Sequence, residues 1–201
     1  MRVRTWCGWW LVGALVGIQV LCLRAAAGAE ELQAGTMELA AAVGYSVSHN
    51  VTGARNLETV RGFHLVPHLG YVLTDERGEG GVRGNLELLA EPTLIHLDAS
   101  ESATVVGLSV VARWVFAASP RVRPYVEVGA GVLGGDTQLR QTTCDVNLAA
   151  QGGIGAMLFM SETTALTLGY RFQHVSNGDR CIQNVGLNSS LFVLGLSYFF
   201  R

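Results

Sequence analysis

The sequence contains no lysine, and charged residues of all kinds make up only 15% of its 201 positions. Its 14 basic residues are therefore all arginine, and the formal net charge is -2. Proteins that bind nucleic acid present a basic patch or stripe, so this composition argues against nucleic-acid binding. No run of like charges indicates a disordered interaction tail either.

Beyond residue 29 the sequence also lacks any run of ~18 apolar residues, the length that a membrane-spanning helix needs. An apolar run does occur earlier, from Cys7 to Leu23, after two arginines and before an A-x-A cleavage site that ends at Ala29. We therefore expect residues 1–29 to be a signal peptide and the mature chain to begin at Glu30. An uncleaved membrane anchor is the alternative, because the run is somewhat long for a signal.

Cysteine is scarce, with four residues in the whole chain. Two of them, Cys7 and Cys22, leave with the expected signal peptide, and Cys144 and Cys181 remain. An exported chain meets an oxidising compartment, where a single disulfide between these two is one outcome. Two unpaired thiols that pack as small hydrophobic residues are the other.

Hydrophobic residues, by contrast, make up 49% of the chain, and there are 25 glycines. Apolar and polar residues alternate with a period of two, which is typical of β-strands. Turn signals separate eight such segments, near 37–49, 60–73, 82–97, 103–117, 121–133, 146–160, 164–176 and 187–200. Segments of ~10–15 residues are long enough to cross a membrane as tilted strands.

We therefore predict an all-β fold for residues 30–201, an eight-stranded antiparallel transmembrane β-barrel of the outer membrane. Without spanning helices, only closure satisfies every backbone polar group in lipid. A soluble sandwich is the alternative, because alternation does not say whether the apolar face meets lipid or a core. The longer connections, 50–59, 134–145 and 177–186, are expected on the outer side together with the short one at 98–102, since periplasmic turns are short.

The seventh segment carries a candidate catalytic pair. His174 and Ser176 share one face of the strand, with Cβ atoms ~6–7 Å apart, and a histidine beside a serine is the first requirement for a serine nucleophile. On the eighth segment Asn188 has the parity of the apolar row, so it faces the same boundary and is placed to orient the histidine. Polar residues at a membrane–water interface are the alternative interpretation.

Other motifs carry less weight. Gly129, Gly131 and Gly134 spell G-x-G-x-x-G, but no helix pattern follows, so a nucleotide site is not indicated. His64 and His68 would lie ~13 Å apart on a strand, too far to share a metal ion. The remaining histidines, His49 and His96, are interpreted as satisfied or solvated side chains.

The C-terminal segments resemble a known family. Residues 170–177, YRFQHVSN, followed by residues 184–187, NVGL, closely resemble the signature region of the lipid A 3-O-deacylase family of the PagL type. The resemblance is strongest over residues 164–201. It implies an outer-membrane barrel of eight strands that hydrolyses the ester at position 3 of lipid A and releases a 3-hydroxy fatty acid.

The resemblance also implies roles for individual residues. Ser176 corresponds to the nucleophile and His174 to the general base. Asn177 corresponds to a motif asparagine beside the site, and Asn184 and Gly186 to positions that stabilise the oxyanion. No metal or organic cofactor is implied. The expected partners are lipid A within lipopolysaccharide and outer-membrane lipid, with a homodimer as an open alternative.

The sequence departs from the family pattern in places that bear on activity. The usual third member of the triad is a glutamate twelve residues after the serine, and here that position is Asn188. An asparagine can fix a histidine tautomer but supplies no negative charge, so an acid such as Asp179 is a candidate assistant. Val185 replaces a usual proline, and the chain ends on Arg201 rather than an aromatic residue. A non-enzymatic barrel and an inactive relative of the deacylases therefore remain alternatives.

Overall fold

The computed structural model describes residues 32–201 except 52, 54–56, 136–138, 140 and 183. The expected signal peptide, residues 1–29, and the expected mature start at Glu30 lie outside the described residues.

Eight antiparallel strands close into a barrel in chain order, and β1 pairs with β8 to complete it. The strands are β1 (Met37–His49), β2 (Arg61–Val72), β3 (Gly84–Asp98), β4 (Ala103–Phe116), β5 (Val122–Gly134), β6 (Val146–Phe159), β7 (Thr164–Ser176) and β8 (Leu187–Phe200). The predicted strand bounds differ from these by at most two residues. The predicted closed barrel is thereby confirmed, and the alternative of a soluble sandwich is wrong. Within the described ranges, no helix has both the length and the apolar character needed to cross a membrane.

The apolar rows of the strands point away from the barrel axis. On β4, for example, Val106, Leu108 and Val110 are 57%, 53% and 53% exposed, whereas Arg113 on the opposite face is 1% exposed. A belt of exposed apolar side chains around a closed barrel is stable only where the surroundings are themselves apolar. The ambiguity left by the alternation is therefore resolved, since the exposed apolar rows form an outer wall suited to lipid. The interior holds the buried polar and charged residues together with clusters of buried apolar side chains.

Paired charges fill the middle of the lumen. Two buried arginines each contact more than one glutamate. Arg113 lies 3.3 Å from Glu38, 3.5 Å from Glu87 and 3.1 Å from Glu127. Arg171 lies 2.7 Å from Glu91 and is also bonded to Glu127. Every residue of this network is at most 4% exposed. Buried charges persist only when they are paired and hydrogen-bonded. The opposite charges seen on the polar faces of the sequence thus meet inside the barrel.

Covalent and backbone links hold the loops together at the end of the barrel where β7 finishes. Cys144 and Cys181 form a disulfide with their Cα atoms 5.8 Å apart, so the alternative of two unpaired thiols is wrong. The Gln141 carbonyl accepts the N–H groups of Val185 and Gly186 at 3.0 and 3.3 Å. The loop between β5 and β6 thereby fixes the loop that leads into β8.

Candidate active site

His174 and Asn188 meet on the outer wall. They are direct partners in the pairing of β7 with β8, and Nδ1 of His174 lies 2.8 Å from Oδ1 of Asn188. An amide oxygen can only accept a hydrogen bond, so this contact places the imidazole proton on Nδ1. The lone pair is then on Nε2, which is the arrangement that a general base requires.

Ser176 is the last residue of β7, has the same outward parity as His174 and is partly exposed. Its hydroxyl has no hydrogen-bond partner among the described residues. Strand geometry keeps the Cβ atoms of the pair about 6–7 Å apart, a gap that side-chain rotation can close. In ligand-free sites the bond between nucleophile and base is often long and tightens only when substrate binds.

Gly186 lies directly against the histidine ring. Its φ is +80°, and a Cβ built there would come within 2.7 Å of Cε1 of His174. Both the backbone conformation and the close approach therefore require glycine. The resemblance assigns Gly186 to a position that stabilises the oxyanion. Its N–H donates to the Gln141 carbonyl at 3.3 Å, so binding an oxyanion through this group would mean exchanging that partner.

The two asparagines of the loop before β8 hold its shape. Asn184 accepts the Asn177 N–H at 2.9 Å and donates from Nδ2 to the Asp179 carboxylate at 2.7 Å. Asn177 is fully buried and donates from Nδ2 to the Thr142 hydroxyl at 3.2 Å. Asp179 is thus engaged with Asn184 in this loop, and the ring of His174 is oriented by Asn188.

Sequence reasoning missed a second polar group on the same wall. His49, expected to be a satisfied or solvated side chain, has its Nε2 2.8 Å from the Ser190 hydroxyl, a specific partner that the sequence did not identify. The same hydroxyl lies 2.9 Å from the phenol oxygen of Tyr170. We call these three residues the polar trio. Ser190 shares the parity of Asn188, but the contact with His49 depends on the closure of β1 against β8, and no local pattern reveals that register.

An open apolar groove of about 960 Å³ lies on the outer wall beside these residues. Tyr170 and Phe192, which are partners in the pairing of β7 with β8, belong to its lining. Phe172 and Ser190 form the outward-facing pair between them and the His174–Asn188 pair. The groove therefore opens close to the candidate catalytic residues and continues along the wall away from the loops.

Comparison with known proteins gives a family match. A family model described as Lipid A 3-O-deacylase (PagL) matches residues 41–197. No curated protein matches the chain.

Solved structures share the fold at low sequence identity. The crystal structure of the outer membrane enzyme PagL is 16% identical with a TM-score of 0.55, over 79% of this chain and 97% of that chain. Neisserial surface protein A is 15% identical with a TM-score of 0.58, over 83% and 99%. Ail, the attachment invasion locus protein of Yersinia pestis, is 15% identical with a TM-score of 0.51, over 84% and 100%. These likenesses establish an eight-stranded barrel of the outer-membrane type.

Proposed function

Because the chain belongs to the lipid A 3-O-deacylase (PagL) family, we propose that it hydrolyses the 3-O-linked acyl ester of lipid A in the outer leaflet of the outer membrane. The observation that carries this proposal is the 2.8 Å bond from His174 to Asn188 on the outer wall, two residues from Ser176. This bond supports a histidine that carries its proton on Nδ1 and has a free lone pair on Nε2, beside a serine. Both residues lie on the lipid-facing surface, where an amphiphile embedded in the membrane can reach them.

In the first half of the proposed reaction, Nε2 of His174 takes the proton of the Ser176 hydroxyl as Oγ attacks the ester carbonyl. The tetrahedral intermediate then collapses, the bond from carbonyl carbon to sugar oxygen breaks, and the imidazolium returns its proton to that oxygen. The products of this half are a free sugar hydroxyl and an acyl chain esterified to Ser176. Asn188 keeps Nδ1 protonated throughout and is a positioning residue.

In the second half, water enters from the loop end of the wall and attacks the acyl carbonyl. His174 removes a proton from the water and then donates it to Oγ of Ser176, which restores the enzyme and releases the fatty acid. Because Ser176 is the last residue of β7, it lies at the loop end of the wall rather than deep in the apolar belt. That position supplies water without a channel through the charged lumen.

The wall also suits the shape of the substrate. Lipid A stands in the leaflet with its sugars at the surface and its acyl chains in the hydrocarbon layer. With the sugar near Ser176, an acyl chain would run along the wall toward the groove lined by Tyr170 and Phe192. The substrate can then approach sideways through the membrane, and the barrel interior has no part in binding.

Lipid A mass spectrometry tests the proposed function. In cells whose lipid A bears a 3-O-acyl chain, expression of the wild-type protein should remove one hydroxyacyl chain, and expression of Ser176→Ala should not. A homodimer stays a prediction, which the mass of the purified protein in detergent would test. An unchanged lipid A spectrum with well-folded wild-type protein would favour the inactive relative, which Asn188 suggests.

Replacing Asn188 tests its role as the positioning residue. Asn188→Glu should raise kcat about tenfold with KM unchanged, because a carboxylate forms a charge-assisted bond and stabilises the imidazolium that forms in the reaction. Asn188→Leu keeps the branched shape of the side chain but has no acceptor, and it should lower kcat about a hundredfold. Steady-state kinetics in micelles measures kcat and KM for both variants. If kcat falls as much in Asn188→Glu as in Asn188→Leu, the orienting role is rejected.

Gly186→Ala tests whether the loop backbone positions the histidine. The added methyl group would press on the imidazole, and we expect kcat to fall on the order of 100-fold, since small misplacements of catalytic groups are costly. Gly178→Ala is the matched control, because Gly178 also has positive φ, at +62°, but its Cβ would meet only Leu148 at 3.8 Å. Equal losses in the two variants would mean that backbone strain alone is responsible.

A further inference from the structure

The polar trio borders the apolar part of the outer wall. On β8 the outward positions after Ser190 are Phe192, Leu194 and Leu196, each at least 47% exposed. A hydroxyl that faces hydrocarbon loses its hydrogen bonds to water, so it needs partners from the protein or from a ligand. His49 and Tyr170 supply two such partners to Ser190.

The trio keeps hydrogen-bonding capacity to spare. A serine hydroxyl can take part in three hydrogen bonds, one as donor and two as acceptor, and Ser190 uses two of these positions. Whichever oxygen donates in the bond between Tyr170 and Ser190, the phenol of Tyr170 keeps one further hydrogen-bonding position. A substrate hydroxyl, which both donates and accepts, would satisfy the open positions on Ser190 and Tyr170 together.

The polar trio also lies at the membrane depth where a hydroxyl on the acyl chain, close to the carbonyl, would lie. Ser190 is two residues along β8 from Asn188, about 6–7 Å further from the loop end. Tyr170 contributes to the trio and to the lining of the apolar groove at once. An acyl chain that runs from the His174–Ser176 pair into the groove must therefore cross the trio within its first few carbons.

We propose that Ser190, held by His49 and Tyr170, binds a hydroxyl carried by the acyl chain near its carbonyl and thereby selects hydroxyacyl esters over plain acyl esters. This inference rests on the proposed function, because the depth argument takes Ser176 and His174 as the reaction centre. Ser190 is then a specificity-determining residue. A rival role exists, since a serine 2.8 Å from a histidine nitrogen is also the geometry of an activated nucleophile.

The test compares two synthetic glucosamine esters of equal chain length, one with a 3-hydroxyacyl chain and one with a plain chain. The purified full-length mature protein in detergent micelles is assayed for kcat/KM on each. Wild type should prefer the hydroxylated ester, and Ser190→Ala and Tyr170→Phe should reduce that preference at least about tenfold, because binding sites built for a hydroxyl discriminate strongly against its absence. Tyr198→Phe, the same change on the outward face of β8, and His96→Gln, an exposed histidine on β3, are controls that should keep the wild-type ratio.

Each outcome decides the inference. An unchanged ratio in Ser190→Ala overturns it, and so does an equal collapse of both rates, which would instead make Ser190 the nucleophile. If wild type hydrolyses neither ester, affinity for the matching uncleavable amides becomes the readout, and the lipid A spectrum decides the proposed function separately. Tighter binding of the hydroxylated amide that Ser190→Ala abolishes would still support recognition, and equal affinities would reject it.

Discussion

Replacing Ser176 by alanine should lower kcat for ester hydrolysis by about a thousandfold or more while leaving KM within a factor of about three. The alanine removes the attacking oxygen but leaves the wall and the groove that hold the lipid. Hydrolysis of a purified 3-O-acylated lipid A in micelles, followed by release of fatty acid, measures both constants. His174→Ala should lower kcat by a similar factor, because the effects of removing catalytic residues that act as a unit are not additive.

The control for this result is Ser100→Ala, which removes a hydroxyl from an exposed residue in the connection between β3 and β4. It should keep wild-type kinetics. Loss of a nucleophile lowers kcat by far more than about tenfold. If Ser176→Ala retains more than about a tenth of the wild-type kcat, the assignment of Ser176 is therefore wrong and another group attacks the ester.

The second large effect concerns the charged lumen. Arg171→Met should lower the free energy of unfolding by about 3–5 kcal/mol, because it leaves the carboxylates of Glu91 and Glu127 buried without one of their cations. Urea unfolding of the barrel in micelles measures the change through the fluorescence of Trp114, the only tryptophan after residue 10. The barrel should still close, since its backbone pairing is unchanged.

Arg83→Met is the matched control for the lumen variant. Arg83 pairs with Glu76 at 3.4 Å, but its side chain is 54% exposed, so its loss should cost less than about 1 kcal/mol. Similar unfolding midpoints for the two variants would contradict the view that the buried network stabilises the barrel. A selective loss in Arg171→Met would support it.

The sequence predicted the barrel well because each strand meets two different environments. The outward row from Val106 to Phe116 alternates with inward positions that include glycine, serine and arginine, and a period of two indicates a strand. What alternation could not say was which face is outside. That follows from closure, because the interior of an eight-stranded barrel is already filled by the Arg113 and Arg171 networks and by clusters of buried apolar side chains. No room is left inside for the exposed apolar rows.

The site was predictable only where it depends on a single strand or on neighbours in the chain. Parity alone placed His174 and Asn188 on one wall, and their 2.8 Å contact agrees with it. The contact of Gly186 with the imidazole and the bond from His49 to Ser190 depend on loop conformation and on the β1–β8 register, both of which are set by distant residues. Local sequence carries no signal for either.

Mapping the nucleophile with a covalent probe tests the central claim most directly. A long-chain fluorophosphonate, which reacts with activated serines, is incubated with the purified barrel in micelles, and the adduct is located by peptide mass spectrometry. We predict a single adduct on Ser176 that disappears in His174→Ala and is retained in Tyr198→Phe. An adduct on Ser190, or the absence of any adduct from a protein that still cleaves lipid A, would contradict the account.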